Sequence, residues 1–163
     1  MTVAVRPATE DDLDGAVELT EAVAAEGRWI ATEAPVDRIA RRALYESSIR
    51  RPDAQLFVAE DDGRIVGHLG IEVQSYGVAD FGMMVATDRR GEGVGGALLT
   101  AAIDWARHAG AHKIALQVWP DNDAAIALYD KFGFEQEGLL RRHYRRRSGE
   151  RWDALVMGLL LDV

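Results

Sequence analysis

The sequence predicts an α/β domain built on a mixed central sheet, with elements in the order β-α-α-β-β-β-α-β-α-β-β. Three observations carry this. Two runs with strand-like patterning, Gln55–Glu60 and Ile65–Val73, meet at Asp61-Asp62-Gly63, and Asp-Gly between such runs is a strong hairpin signal. A glycine-rich turn at 91–96 opens a long segment with Val94, Ala97, Leu98, Ala101 and Trp105 at helical spacing. The next strand, Lys113–Trp119, follows that helix, so the sheet starts antiparallel and crosses to parallel around it.

In chain order, Val3–Arg6 reads as a short strand. Thr9 and Asp12 form a capping-box-like start, and Leu13, Ala16, Val17 and Thr20 carry a helical stripe towards Ala25. Residues 26–35 are irregular. A second helix is expected from Val36 to Arg50, with Ile39, Ala43 and Leu44 as its apolar face. Val78–Ala86, with Phe81, Met83 and Val85 alternating, completes an antiparallel meander after the hairpin. Gly110 ends the long helix and Pro120 stops the strand after it. Asp121-Asn122-Asp123 starts a helix through Phe132, and Gly133 before Phe134 fits a left-handed helix end followed by an apolar residue. Strands at Glu135–Leu139 and Trp152–Leu161 close the sheet.

A length of 163 residues favours one domain spanning 1–163, large enough for a buried core. The chain has no cysteine, which excludes disulfide frameworks, thiolate metal sites and cysteine nucleophiles. His68, His108, His112 and His143 are scattered without ligand-like pairing, so no metal site is expected; His68 and His112 fall on expected strands and read as structural. The net charge of −8 argues against broad binding to nucleic acid or anionic membrane, although a local cluster of amides and cations can still hold a small anion. Neither a signal-like segment at the start nor a membrane-length apolar run is evident, so a cytoplasmic location is expected.

The segment Arg89–Gly96 is the most informative. Four glycines stand in the six positions 91–96 at the start of a helix, a costly choice unless bare backbone is needed. Amides there lack intrahelical partners and sit at the positive end of the helix dipole, so an anion fits. Arg89 and Arg90 add full charge at the mouth. These features describe a diphosphate cradle. Gly91, Gly93 and Gly96 also match G-x-G-x-x-G, but a dinucleotide-binding loop opens the first βαβ unit, with an acid about 20 residues later. Here antiparallel strands come first and Val118-Trp119 ends the later strand without an acid.

Read as Arg90-x-x-Gly93-x-Gly95, the loop resembles the acetyl-CoA signature R/Q-x-x-G-x-G/A of the GNAT superfamily of N-acetyltransferases. Asn122-Asp123-Ala124-Ala125-Ile126-Ala127-Leu128-Tyr129-Asp130-Lys131-Phe132-Gly133-Phe134 resembles that family's N-x-x-A-x-x-x-Y-x-K-x-G-F element, in the expected order. The resemblance implies the GNAT fold and an acetyl-CoA cosubstrate. It implies cofactor contacts from Met83, Met84 and Val85 on the fourth strand, from Arg89, Arg90, Gly91, Glu92, Gly93, Val94, Gly95 and Gly96, and from Asn122, Ala125, Tyr129 and Lys131. The fourth and fifth strands splay apart in that family and admit the cofactor between them. Tyr129 matches the general acid that protonates the leaving thiolate. Asn122 serves the pantetheine arm or simply caps its helix.

The base stays open among Asp80, Glu72 and Glu33. Trp29 and Glu33 lie where the family builds an acceptor wall, or else cover the core edge and face solvent. The run Arg141–Arg147 reads as solvated hairpin charge, as an anchor for an acidic group of the acceptor, or as a dimer contact. Gly133–Gly138 and Trp152-Asp153-x-x-x-Met157 are similar to the bacterial branch near the ribosomal-protein and amino-acid acetyltransferases. The expected reaction is direct attack by a primary amine, with a small-molecule acceptor (amino acid, polyamine or amine toxin), no nucleic acid or membrane partner, and a homodimeric assembly. A protein N-terminus as acceptor and a non-catalytic CoA-binding module are the alternatives.

Overall fold

The computed structural model describes residues 3–162. Strand β1 (Ala4–Pro7) leads into a single 3-10 turn, where Asp12 Oδ2 accepts the Thr9 backbone N–H at 2.8 Å. Helix α1 (Leu13–Ala25) follows, and Leu13, Ala16, Val17 and Thr20 are all buried on one face. Helix α2 (Arg38–Arg50) starts at Arg38 rather than Val36, because the Asp37 side chain accepts the Ala40 N–H at 3.0 Å and caps it. Its buried face also differs from expectation. Ile39 is 86% and Leu44 52% exposed and Ala43 is exposed too, whereas Tyr45 is buried with Ile49 packed beside it. Tyr45 can occupy the core because its hydroxyl meets Thr20 Oγ1 at 2.6 Å, so that its own phenol is paired on burial.

Strands β2 (Ala54–Asp61) and β3 (Arg64–Val73) form the hairpin, with φ of 51° at Asp62 and 82° at Gly63, the left-handed pair that a tight two-residue turn requires. Strand β4 (Val78–Val85) returns antiparallel to β3. Helix α3 (Val94–His108) crosses over to β5 (Lys113–Val118), which lies parallel to β4. His112 precedes that strand rather than lying on it. Helix α4 (Asp123–Lys131) and the pair β6 (Glu135–Arg145) and β7 (Arg151–Leu160) complete a seven-stranded sheet in the order β1-β2-β3-β4-β5-β7-β6. Strand β6 runs on to Arg145, past the expected Leu139. Cross-strand pairing with β7 continues through Tyr144↔Trp152 although the sequence there has lost its apolar alternation.

Helices cover both faces. His68 meets Thr20 Oγ1 of α1 at 3.1 Å, while a Cβ on its neighbour Gly67 would come within 3.0 Å of Val94 Cγ1 on α3. Strand register then puts Gly70, Glu72, Asp80, Gly82 and Met84 on the face of α1 and α2. Among the described residues no helix is long and apolar enough to cross a membrane.

Candidate active site

Strands β4 and β5 pair only at Val78↔Lys113, Ala79↔Ile114 and Asp80↔Ala115. Beyond that point the strand partner of Phe81–Val85 is β3 and that of Leu116–Val118 is β7. The strands part there, and a cavity of about 1010 Å³ opens between them, bounded by the starts of α3 and α4, by α2 and by residues 29–32. Pro120 follows β5 and contributes no N–H with which to resume pairing.

At one end lies the glycine-rich turn. Gly91 and Gly93 have φ of 77° and 88°, a region that side-chain-bearing residues rarely adopt. Gly93 caps α3 without any side-chain hydrogen bond, so the first-turn amides stay uncapped by protein. Gly95 differs from these. A Cβ there would sit a tight 3.3 Å from Leu128 Cδ2 on α4, whereas one at Gly96 would make ordinary contact with Phe132 at 3.8 Å. The two arginines are already engaged: Arg89 pairs with Asp61, and Arg90 donates to both oxygens of Glu26 at 2.8 Å.

Met83, Met84, Val85, Arg89, Arg90, Gly91, Gly93, Val94, Gly95, Gly96, Asn122, Ala125 and Tyr129 all border the cavity. Glu92 and Lys131 do not; both are exposed. Asn122 Oδ1 accepts the Ala125 N–H at 3.2 Å, so it caps α4 while also bordering the cavity. Tyr129 is buried, held edge-on by Phe81 (ring centroids 5.9 Å apart) and tilted against Phe134 (5.7 Å). Burial pushes its phenol up to about 12, so it stays protonated. Among the described residues no hydrogen bond reaches its hydroxyl.

Asp80 and Glu72 face each other across β3 and β4 and both border the cavity. Gln74 Nε2 bridges them, at 2.9 Å to Asp80 and 3.2 Å to Glu72. Glu72 also takes Arg51 at 3.0 Å. Asp80 has no cation partner among the described residues; desolvation and the nearby Glu72 charge raise its pKa, against the Gln74 hydrogen bond. Glu33 lies away from the cavity. It accepts the Arg147 backbone N–H at 3.0 Å and faces Arg146 Nε at 3.6 Å, which ties its loop to the β6–β7 hairpin. Trp29 borders the cavity, with its indole N–H donated to Glu26 at 3.2 Å.

Three further residues stand at or beside this site, and of these the sequence marks only Arg146, within the basic run 141–147. Trp119, only 6% exposed, stacks edge-on with Tyr144 and Trp152 at 5.1 and 5.2 Å. Arg41 on α2 reaches Thr32 Oγ1 at 2.9 Å. Arg146, inside the basic run, is 5% exposed rather than solvated; its guanidinium lies 4.2 Å from the Trp152 ring centroid and donates to Ala31 O at 3.0 Å. Each position is fixed by a contact distant in sequence, which local pattern cannot reveal. Among the described residues no cluster of three metal-ligating side chains occurs.

Residues 18–134 match the model of the Acetyltransferase (GNAT) family. The L-amino acid N-acetyltransferase AaaT of Escherichia coli is 41% identical over 115 residues, 66% of this chain and 68% of that protein. The crystal structure of a ribosomal-protein-alanine N-acetyltransferase from Brucella melitensis superposes with a TM-score of 0.88 at 28% identity, covering 97% of this chain and 99% of that one. A GNAT phosphinothricin acetyltransferase from Sinorhizobium meliloti, solved with AcCoA, shares the fold with a TM-score of 0.86 at 24% identity, over 99% of this chain and 89% of that one.

Proposed function

The chain belongs to the GNAT family of acetyltransferases, and from that premise we propose that it moves acetyl from acetyl-CoA to the primary amine of a small molecule by direct attack. The observation that carries this reading is the parting of β4 and β5 above an uncapped, glycine-bearing helix start, with Tyr129 and Asp80 bordering the gap. The residues present fit the cosubstrate. The β4 edge from Phe81 to Val85 offers backbone groups without a β5 partner to a pantetheine arm, and the α3 amides offer donors to a diphosphate.

Bound acetyl-CoA supplies an acyl thioester. Asp80 receives a proton from the acceptor ammonium, directly or through water, and leaves the nitrogen lone pair free to form the C–N bond. The Tyr129 hydroxyl gives its proton to the sulfur as the C–S bond breaks, and the second proton that the nitrogen sheds as the amide forms restores the phenol. Its burial keeps the phenol protonated at neutral pH, so the proton is available to the departing sulfur. Direct attack agrees with a chain that has no cysteine to take the acyl group first.

A small acceptor is favoured by how residues 29–34 are held. Arg146 bonds Ala31 O, and Arg147 bonds Glu33 and Ala34 O, so the loop whose residues 29–32 border the cavity is tied to the β6–β7 hairpin and gives the cavity a fixed wall on that side. AaaT, a relative named for L-amino acids, points the same way. A thiol-release assay over amines, amino acids and N-terminal peptides tests the proposal. Turnover with small amines is expected. Turnover confined to peptides would move the acceptor to proteins, and CoA binding without any release would make the chain a non-catalytic CoA-binding module.

A further inference from the structure

Within the run 141–147, Arg141, Arg142, Arg145 and Arg147 are exposed, whereas Arg146 is 5% exposed. Its backbone closes the β6–β7 hairpin: the Arg146 N–H bonds Glu150 O at 2.7 Å and the Gly149 N–H bonds Arg146 O at 2.9 Å. From that fixed point the guanidinium lies 4.2 Å from the Trp152 ring centroid and 5.5 Å from that of Trp119. Its Nη1 donates to Ala31 O at 3.0 Å and its Nη2 to Ile30 O at 3.4 Å, while Nε faces Glu33 Oε1 at 3.6 Å. One rigid fork thus gathers the segment 30–33.

That segment has little else to hold it. Among the described residues no backbone–backbone hydrogen bond involves residues 28–36. Side chains hold them instead: Glu26 takes Trp29, Arg41 takes Thr32, and Arg146 and Arg147 take residues 30–34. Of these side chains only Arg146 is buried. A cation out of water is costly unless its hydrogen bonds are met, so withdrawing the loop would strand the charge against two aromatic rings. The exposed ties contribute far less.

Residues 29–32 border the cavity together with α2, whereas the glycine-rich turn and Tyr129 border it from α3 and α4. With the cosubstrate at the turn, the 29–32 wall is left to the acceptor. Resting on the acetyltransferase reading above, we propose that Arg146 is a positioning residue that determines acceptor specificity. It does not border the cavity and touches no reactant; it fixes the wall against which the acceptor is aimed. The same guanidinium joins that wall to Trp119, which borders the cavity and meets Tyr144 edge-on at 5.1 Å. Glu33 serves this clasp rather than proton transfer.

The test is steady-state thiol release over amines of graded bulk, with limited tryptic cleavage after the exposed Arg28 followed in parallel, for the unaltered protein, Arg146→Met, Arg146→Lys and Thr32→Val. Arg146→Met should lower kcat/KM for the best amine by roughly tenfold to a hundredfold, mainly through KM, while acetyl-CoA affinity holds. It should also narrow the discrimination among amines and hasten cleavage after Arg28. Arg146→Lys keeps the charge without the fork and should recover only part of the loss. Thr32→Val frees the loop at its α2 end with Arg146 in place, and should shift acceptor preference in the same sense. A folded Arg146→Met (or, where it fails to fold, Arg146→Lys and Thr32→Val) with unaltered acceptor KM and preference would overturn the proposal, even at a lowered melting temperature. An equal loss of acetyl-CoA affinity would overturn it too. Intact CoA binding with no thiol release for any amine in the unaltered protein would instead overturn the acetyltransferase reading itself.

Discussion

Arg90 and Glu26 form a bidentate ion pair, Nη1 to Oε1 and Nη2 to Oε2 each at 2.8 Å, while Arg90 Nε donates to Val85 O at 3.1 Å. All three guanidinium nitrogens are thus engaged by protein, and Arg90 holds the Glu26 carboxyl below its ordinary pKa. The arginine clamps the glycine-rich turn to the end of α1 and to β4 rather than standing free for a phosphate. Glu26→Gln and Arg90→Gln should therefore weaken CoA binding by similar, several-fold factors, with a double variant no worse than either single. Each should cost no more than about 1 kcal/mol of stability, since the pair is partly solvated. Calorimetric CoA titration checks this; tighter binding in Glu26→Gln would mean that Arg90 acts directly on the ligand.

Gly93 and Gly95 should separate backbone need from ligand need. At Gly93 nothing lies within 4 Å of an added Cβ, but φ is 88°, so Gly93→Ala should lose about 1 kcal/mol or more of stability. At Gly95 the added methyl meets the flexible ends of Leu128 at 3.3 Å and Met83 at 3.5 Å, in a helix where Ala is intrinsically better than Gly. Gly95→Ala should leave the melting temperature level or raised while weakening CoA. Undiminished CoA affinity there would remove Gly95 from the cradle.

Legibility in the sequence follows the range of the interaction that decides each feature. The Asp62-Gly63 turn and the end of α4, where Gly133 has φ of 92° and Phe134 N–H bonds Tyr129 O at 3.1 Å, are settled by residues a few positions apart. The turn at 91–96 is legible for the same reason. The buried face of α2 is not, because the choice of Tyr45 over Ile39 depends on Thr20, on another helix. Nor is the acceptor side of the cavity, where Arg146 reaches Ala31 across 115 positions. Charge pattern alone makes Arg146 look like its solvated neighbours, and Trp119 merely ends a strand.

Tyr129→Phe removes the one proton that buried geometry holds for the sulfur. Turnover should fall by roughly a hundredfold or more while acetyl-CoA affinity changes little. Because the phenol lies near 12, rates in the unaltered enzyme should show no alkaline loss from this group below about pH 11. An unchanged rate in Tyr129→Phe would take the acid role elsewhere.

Asp80 should set the acidic limb of kcat/KM. Desolvation and the Glu72 charge raise its pKa against the Gln74 hydrogen bond, so the limb should lie above the ordinary aspartate value and vanish in Asp80→Asn. Glu72→Gln removes a neighbouring negative charge and should move the limb to lower pH without abolishing it. A limb lost in Glu72→Gln and retained in Asp80→Asn would transfer the base to Glu72.

His68 offers a test with the sign set by burial. Desolvation lowers its pKa from 6.5 to about 4, and its ring meets Thr20 Oγ1 at 3.1 Å and the Tyr45 ring edge-on at 5.1 Å. Below about pH 6.5 the unfolded chain takes up a proton that the folded chain refuses. The His68 contribution should therefore be fully present above that pH and be lost progressively as pH falls towards about 4, by roughly 3 kcal/mol in all. Denaturant midpoints compared between the unaltered protein and His68→Gln over this range should converge at low pH, because the variant has no imidazole to charge. A midpoint difference independent of pH would mean that His68 ionises in the fold, and the neutral core beneath the acceptor cavity would have to be redrawn.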